Sequence, residues 1–444
     1  MTLTRLTESA LTRRRFLQGL AGVGAAIPLS AFLAACGDDD DDDDDPTATT
    51  DAGDEPTAAE EAEPTATEEP EATATTEEAE PTATAASDAT ATEEPEPEPT
   101  ATDAAEPSPT EDAGGEIPEV DLAAVKAFAL EQAELMKAGT EQLAAIAGRY
   151  YVLVSATGFD YALALEQNPQ ELPGLAFAAR EAWITASTHY ELDEGIVAGV
   201  PSLADFDVWI DAGPSGEEDP VEARNWQLEL PNGEVLDRPG NFFHSLLEPT
   251  IWGTNEEAVG AYTDLDGDGE IGSVDVLPEA NLFAGAAEGL DGATADMIAA
   301  ISAWEPTLSD VFSAEVTMIP TMTEYFEQWK NSVFVAGAEG AQETAFVGLS
   351  RLFDINGILT GLHTAYQELS PAVAAVDEEL DSQIQSGFDE LVSFVADLFE
   401  QEQSGVVFTP EEADLFGTEA QNQATALAGQ VAQAAALLNV ELAG

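Results

Sequence analysis

The chain has 444 residues, of which 88 are acidic and 12 basic, so its formal net charge is −76 at pH 7. A surface this acidic repels nucleic acid and anionic lipid headgroups and attracts cations, although it is also typical of proteins from saline habitats. We therefore expect no nucleic-acid partner. The single cysteine excludes a disulfide within the chain, whatever its redox compartment.

Residues 1–35 are typical of a twin-arginine export signal that belongs to a lipoprotein. "TRRRFLQ" carries paired arginines, and an uncharged apolar run follows from residue 20 to residue 35. This run is short for a membrane span, which needs about 20 residues. It ends in "LAAC", where small residues precede Cys36. Cleavage before Cys36 and acylation of its sulfur would anchor the protein on the outer face of the cytoplasmic membrane. The alternative is a cleaved signal with an incidental cysteine.

Residues 36–118 are predicted to form a disordered acidic linker rich in proline and threonine. A run of aspartates follows Cys36, and the rest is mostly Asp, Glu, Pro, Thr and Ala. Such a segment cannot bury enough apolar surface to offset the entropy of ordering. Its like charges and prolines keep it extended. We expect a stalk that lifts a folded domain, residues 119–444, away from the membrane.

Residues 119–444 carry the pattern of long amphipathic helices. In "AAVKAFALEQAELMKAGTEQLAAIAGRYYVLV" and "TAFVGLSRLFDINGILTGLHTAYQEL", apolar residues recur at spacings of three and four. Long helices with few strands predict an all-α fold built from bundles. The exception is "NWQLELPNGEVLDRPGN", a predicted small β-hairpin that turns at Asn232-Gly233.

Residues 264–275, "DLDGDGEIGSVD", match an EF-hand-like calcium loop. In such loops, alternate residues supply oxygen ligands, and a glycine at the sixth position, here Gly269, makes the sharp turn. The closing residue is an aspartate in place of the usual glutamate, which resembles the loops of dockerin-type modules. The predicted role is structural, and the alternative is a solvated acidic turn. The predicted calcium ligands are Asp264, Asp266, Asp268, Glu270 through its carbonyl, and Asp275.

Three histidines are predicted on three different helices, each near acidic or phenolic side chains. His244 and Glu248 are four residues apart in "NFFHSLLEPTIWG", so a helix places them on one face. His189 precedes Glu194 in "STHYELDEG", and His363 lies in "GILTGLHTAYQEL". Imidazole and carboxylate groups suit a transition-metal site inside a bundle, whereas a lone histidine is more often a core or surface residue. Because a metal must displace the imidazole proton, we expect affinity to fall below about pH 6.5.

"AREAWITASTHYELDEGI", "FFHSLLEPTIWG" and the C-terminal helices together resemble the imelysin-like family, over most of residues 122–442. That family includes metallopeptidases, iron-regulated surface proteins and periplasmic lipoproteins of an iron-uptake system. The resemblance implies an all-helical domain of two bundle-like halves. It also implies a Gly-x-His-x-x-Glu motif near a Trp-Gly pair, with His244 in the place of the histidine.

The chain departs from the family pattern at three positions. Phe242 stands in the place of the motif's glycine, and its glutamate comes one residue late, at Glu248. Tyr190 and Glu194 match a Tyr and a Glu of the family's earlier helix, but Ser187 stands where an arginine is usual. A spacing of four still keeps His244 and Glu248 on one helical face. The departures leave metal binding intact and put inherited catalysis in doubt.

Three functions remain open from the sequence. The first is an anchored lipoprotein that binds a transition metal, iron in first place, for uptake or homeostasis, with an iron permease or a peroxidase-like protein as partner. The second is a structural or adhesive surface protein that calcium stabilises. The third is a metallopeptidase, which needs an open zinc position and a base, although no His-Glu-x-x-His motif is present. The predicted transition-metal ligands are His189, Glu194, His244, Glu248 and His363.

Overall fold

The computed structural model of the protein describes residues 120–272, 275–343 and 345–443. The predicted signal peptide, Cys36 and the linker therefore lie outside the described residues. Of the described residues, 69% are helical, and the strands they contain form two short antiparallel pairs. The prediction of an all-α fold is confirmed.

The first half of the domain is built on three long helices, with short helices between them. Helix α1 packs against both α3 and α6. A Cβ atom on Gly139 of α1 would lie 2.9 Å from the backbone nitrogen of Ala186, so a glycine lets α1 and α3 approach closely. The helices are α1 (Leu122–Ser155), α2 (Tyr161–Gln167), α3 (Glu171–Gly199), α4 (Asp205–Ile210), α5 (Glu248–Trp252) and α6 (Ala280–Ala303).

The second half holds the C-terminal helices. Helix α10 packs against α11, and α12 packs against α8 and α11. Helix α3 also contacts α10 and α7, so it joins the two halves. The two bundle-like halves implied by the resemblance are present. The helices are α7 (Leu308–Met318), α8 (Met322–Asn331), α9 (Gly337–Gly340), α10 (Arg351–Val376), α11 (Glu378–Gln403) and α12 (Pro410–Leu437).

Helix α3 lies at the centre of the domain and is buried around most of its circumference. A Cβ atom on Gly361 of α10 would collide with the carbonyl of Leu192, so the two backbones are in direct contact. Yet α3 also buries Glu191, Asp193 and Glu194. Buried carboxyl groups are rare unless they are paired or bind metal. This helix therefore points to a functional interior.

Two strand pairs interrupt the helices. Strands β1 (Gln227–Glu229) and β2 (Val235–Asp237) form the predicted hairpin, and Gly233 adopts a left-handed φ of 84° at its turn. Strands β3 (Val259–Tyr262) and β4 (Val276–Pro278) form a second pair that the sequence did not predict. This pair encloses the predicted calcium loop. Among the described residues, no helix has the length and apolar character that a membrane crossing requires.

Candidate metal centre

His244 lies on one turn of π-helix, Phe242–Leu247, which runs directly into α5. Asn241 caps this turn, because its Oδ1 accepts hydrogen bonds from the backbone N–H groups of His244 and Ser245 at 2.7 and 3.2 Å. Wide turns of this kind are frequent at functional sites. The Nδ1 atom of His244 lies 2.8 Å from Oε2 of Glu248. The predicted placement of these two side chains on one face is confirmed.

Glu248 is fully buried, and hydrogen bonds occupy both of its oxygens. Besides His244, it accepts hydrogen bonds from the backbone N–H groups of Phe346, Val347 and Gly348, at 2.7 to 2.9 Å. Phe346 adopts a left-handed φ of 55° to present these N–H groups. Because hydrogen bonds occupy both oxygens of Glu248, it orients the imidazole and is not among the proposed metal ligands.

The other ring nitrogen of His244 faces a cluster of buried carboxylates. Its Nε2 lies 3.0 Å from Oδ1 of Asp211, at the end of α4, without the alignment of a hydrogen bond. One oxygen each of Glu191, Glu194 and Asp211 lie within 4.8 Å of one another. Within the described residues, Glu191 Oε2, Glu194 Oε2, Asp211 Oδ1 and His244 Nε2 all lack a hydrogen-bond partner. Buried polar atoms are rarely left unsatisfied, so this cluster fits a bound cation.

Burial and mutual repulsion set the charges of this cluster. Burial, followed by the neighbouring Asp211, raises the pKa of Glu194 to about 8. Burial and Asp211 likewise raise the pKa of Asp207 to about 7. Burial alone would lower the pKa of His244, but Asp211 and Glu248 outweigh it and raise the pKa to about 10. The metal-free site therefore holds protons at neutral pH, and a metal ion has to displace them.

Two tyrosines support the cluster from its sides. The hydroxyl of Tyr190 donates to Oδ1 of Asp207 at 2.7 Å, and that of Tyr325 donates to Oε1 of Glu194 at 3.0 Å. Together with His244 and Asp211, these acids line a pocket of about 450 Å³ between the two halves of the helical domain. The pocket opens past Glu218, Glu324 and Glu343. An acidic opening of this kind concentrates cations.

The residues that form this site lie within a segment that matches a known protein family. The family model of imelysin, peptidase M75, matches residues 129–438, which include α3, the His244 turn and all of α12. The chain belongs to the imelysin family. A search of curated proteins finds no significant match.

Two of the histidines predicted as ligands lie elsewhere in this imelysin domain. His189 turns its Nδ1 to Oε1 of Gln132 on α1, at 2.9 Å. Five residues separate it from Glu194, which rotates the two side chains about 140° apart on α3. His363 stacks on the ring of Phe388 at 5.0 Å, with Nδ1 3.9 Å from Asp389. Neither histidine lines the pocket, so the structure does not bring the three histidines to one site.

Two residues of the imelysin site were missed from the sequence as ligands. Glu191 lies three residues before Glu194 on the same face of α3, a spacing that could have revealed it. Asp211 follows a short helix in an irregular segment, where no sequence pattern marks it. Phe242, in place of the motif glycine, packs on Trp226 of the hairpin, with ring centroids 5.1 Å apart. The Oγ atom of Ser187 lies 3.5 Å from Oε1 of Glu191.

The predicted calcium loop brings three of its predicted ligands together. One carboxylate oxygen each of Asp264, Asp266 and Asp268 lie within 4.8 Å of one another on the surface. Gly269 adopts the left-handed φ of 87° that a sharp turn requires. Asp275 is buried, and its two oxygens accept hydrogen bonds from the N–H groups of Leu265 and Gly272 at 2.7 and 2.6 Å. The loop's Ser273 and Val274 lie outside the described residues.

Proposed function

We propose that this imelysin-family protein binds a transition-metal ion, iron in first place, as its cargo in uptake or homeostasis. The observation that carries the proposal is the convergence of three buried carboxylates, Glu191, Glu194 and Asp211, each with an oxygen that accepts no hydrogen bond from the described residues. The revised ligand set is these three acids with His244, which replaces the set predicted from the sequence. Oxygen donors with one imidazole favour iron or manganese over softer metals.

The contact between His244 and Asp211 also supports two ligands of one ion. Two donor atoms about 2.1 Å from a metal ion and at right angles to each other lie about 3.0 Å apart. The ion pair of the metal-free site holds Nε2 and Oδ1 at this spacing, 3.0 Å. Glu248 holds Nδ1 of the imidazole, which leaves Nε2 for the ion. Carboxylates that bond the far nitrogen of a metal-binding histidine are a common feature of such sites.

Metal titration of the full-length chain tests this proposal. Ferrous iron and zinc are titrated anaerobically, with millimolar calcium present, into the wild type, His244→Ala and His363→Gln. We expect one equivalent to bind the wild type and His363→Gln equally, and at least tenfold more weakly to His244→Ala, about 1.4 kcal/mol. Equal affinity in all three proteins would remove His244 from the site. Absence of binding by the wild type would remove the proposal itself.

Peptidase activity is a less favoured function for this site. A metallopeptidase needs a carboxylate base beside the metal-bound water, and hydrogen bonds already occupy both oxygens of Glu248. We therefore expect no peptide hydrolysis by the zinc-loaded or iron-loaded chain. Turnover that disappears in Glu248→Gln while the metal stays bound would establish the peptidase instead.

We further propose that residues 264–275 bind calcium in a structural role. The support is the approach of three aspartate carboxylates and the turn at Gly269. Such a site also fits the alternative of a calcium-stabilised adhesive surface protein. If the His244 site binds no metal while the loop binds calcium, the adhesive function becomes the preferred one.

Anchoring on the outer face of the cytoplasmic membrane is proposed from the "LAAC" sequence that ends at Cys36. Twin-arginine export would deliver a folded, lipid-anchored domain at the end of an acidic stalk. An iron permease or a peroxidase-like protein remains the proposed partner. Detergent partitioning of the wild type and Cys36→Ser tests the anchor. We expect the variant to leave the membrane fraction or to keep its signal, and an unchanged fraction of processed variant would contradict the lipoprotein.

A further inference from the structure

Arg351, the first residue of α10, places a buried guanidinium at the wall of the metal pocket. Its Cζ atom lies 4.3 Å from the ring centroid of Tyr325 and 4.4 Å from that of Phe346. A guanidinium held between two rings is fixed in its plane. Phe346 also packs on the imidazole of His244, with ring centroids 4.3 Å apart. Arg351 is therefore a rigid part of the same site.

The hydrogen bonds of Arg351 leave one side of its guanidinium free. Nε donates to Oε1 of Gln328 at 2.9 Å, and Nη1 donates to Oδ2 of Asp354 at 3.2 Å. A guanidinium carries five N–H donors. Among the described residues, Nη2 makes no hydrogen bond to a protein acceptor. Because Arg351 lines the pocket and Nη2 is not sealed within the protein, a ligand or water in the pocket can reach this donor.

A bound cation alone does not explain why the Arg351 guanidinium lies in the wall of the pocket. A guanidinium in the wall repels a metal ion, whereas a planar oxyanion matches its fork of N–H donors. The pocket of about 450 Å³ is many times larger than the roughly 30 Å³ that one water occupies. Three carboxylates and one imidazole also leave two positions open on an ion that takes about six ligands. The pocket therefore has room for a small anion, Arg351 offers it an N–H donor, and the proposed ion has open coordination positions for it.

We propose that the pocket takes its metal ion together with a small planar oxyanion, a carbonate or a short carboxylate, which Arg351 receives through Nη2. The anion bridges the guanidinium and the ion, and its charge compensates the repulsion between them. This inference rests on the proposed metal-binding function and adds a second component to the same site.

The test measures metal affinity of the full-length chain with and without anions. Zinc and ferrous iron are titrated anaerobically in carbon dioxide-free buffer without carboxylates. Separate arms add bicarbonate, oxalate or phosphate at one millimolar. We expect bicarbonate or oxalate to raise the apparent metal affinity at least tenfold after correction for metal binding by the anion itself, and phosphate to have a smaller effect because it is tetrahedral. The arm with the larger effect identifies carbonate or carboxylate as the source.

Two variants assign the effect to the guanidinium. Arg351→Gln should keep metal binding and lose the anion effect, and Arg351→Lys should keep part of it, because lysine retains the charge but not the fork. Arg180→Gln, at a buried arginine that does not line the pocket, is the matched control and should respond like the wild type. Thermal melting shows which variants are folded. If a variant does not fold, the wild-type titrations with and without anions still test the oxyanion.

The outcomes separate this inference from the proposal on which it rests. Metal binding by the wild type that no anion strengthens overturns the oxyanion and leaves the metal site standing. An anion effect that persists in folded Arg351→Gln overturns the assignment to Arg351. A wild type that binds no metal in any arm overturns the proposed function as well.

Discussion

The described part of the chain contains two clusters of three carboxylates, one buried in the core and one exposed on a loop, and burial makes them chemically different. In the buried cluster, burial raises the pKa of Glu194 to about 8 and also raises that of Glu191 well above its usual value. In the loop, the acids are exposed, and backbone N–H groups bond to Asp264 and Asp268. A cation must displace protons from the first cluster and only water from the second. The pocket also adds an imidazole, which the loop lacks.

The largest expected effect is on metal affinity, when two acids are neutralised in one cluster at a time. Glu194→Gln combined with Asp211→Asn should weaken transition-metal binding at least a thousandfold, about 4 kcal/mol, because it neutralises two proposed ligands. It should leave calcium affinity unchanged. Asp264→Asn combined with Asp268→Asn should do the reverse, since oxygen loops and sites with imidazole select different cations. Parallel zinc and calcium titrations of both double variants measure this, and loss of both metals from either variant would contradict two independent sites.

The pH dependence of the two sites should differ almost as much. His244, with a pKa of about 10, and Glu194, with a pKa of about 8, both hold protons near neutrality in the metal-free protein. Lowering the pH adds protons that compete with the metal, so affinity should fall at least tenfold per pH unit from pH 8 to pH 6. The sequence predicted a fall only below about pH 6.5. In the structure, the pH at which the affinity begins to fall is higher, because Asp211 and Glu248 stabilise the imidazolium of His244.

Affinities measured at pH 6, 7 and 8 for zinc and for calcium decide this. The loop should bind calcium with an affinity that changes less than threefold over the same range, because its three clustered aspartates are exposed and no imidazole is among the proposed ligands. A zinc affinity as flat as that of calcium would show that the metal displaces no protons from His244 or Glu194. The ligands would then lie outside the buried cluster.

The sequence predicted local features well and long-range convergence poorly. Helical periodicity, the Asn232-Gly233 turn, the glycine at position six of the loop and the pairing of His244 with Glu248 all depend on neighbours within a few residues. Asp211 meets Glu194 only because an irregular segment folds back onto α3. The partners of Glu248 are backbone N–H groups about a hundred residues away, and no side chain marks them. The scarcity of histidine favours His189 and His363 as ligands, but scarcity carries no information on where a side chain points.

Calcium should stabilise the domain by a moderate amount through the exposed loop. A ligand that binds only the folded state adds about 2.7 kcal/mol at a hundred times its dissociation constant. The gain should vanish in Asp264→Asn combined with Asp268→Asn. Asp296→Asn combined with Asp397→Asn removes the same charge from exposed helical positions and should keep the gain. Melting curves in chelator and in calcium test this, and identical curves for the wild type would leave the loop as a solvated turn.

The smallest expected effect is on the free energy of unfolding, at Glu315. This residue tests whether burial raises a carboxyl pKa outside the proposed metal site as it does at Glu194. It lies on α7, fully buried, and neither carboxylate oxygen has a hydrogen-bond partner among the described residues. Burial alone raises its pKa well above the usual value. The stability contributed by the protonated group is fully present below the unfolded pKa, about 4.3. It is lost as the pH rises toward the folded pKa.

Glu315→Gln keeps a neutral group of similar size, so it should stabilise the domain by about 1–2 kcal/mol at pH 7 and by nothing at pH 4. Glu288→Gln, at an exposed position of α6, is the matched control and should stay within about 0.5 kcal/mol of the wild type. Urea unfolding at pH 4, 5.5 and 7 measures the difference. Unlike Glu194, Glu315 belongs to no group of three possible metal ligands among the described residues, so zinc should not change the effect of Glu315→Gln on unfolding. If Glu315→Gln is more stable than the wild type by the same amount at pH 7 and pH 4, the difference comes from packing and not from the cost of a buried charge.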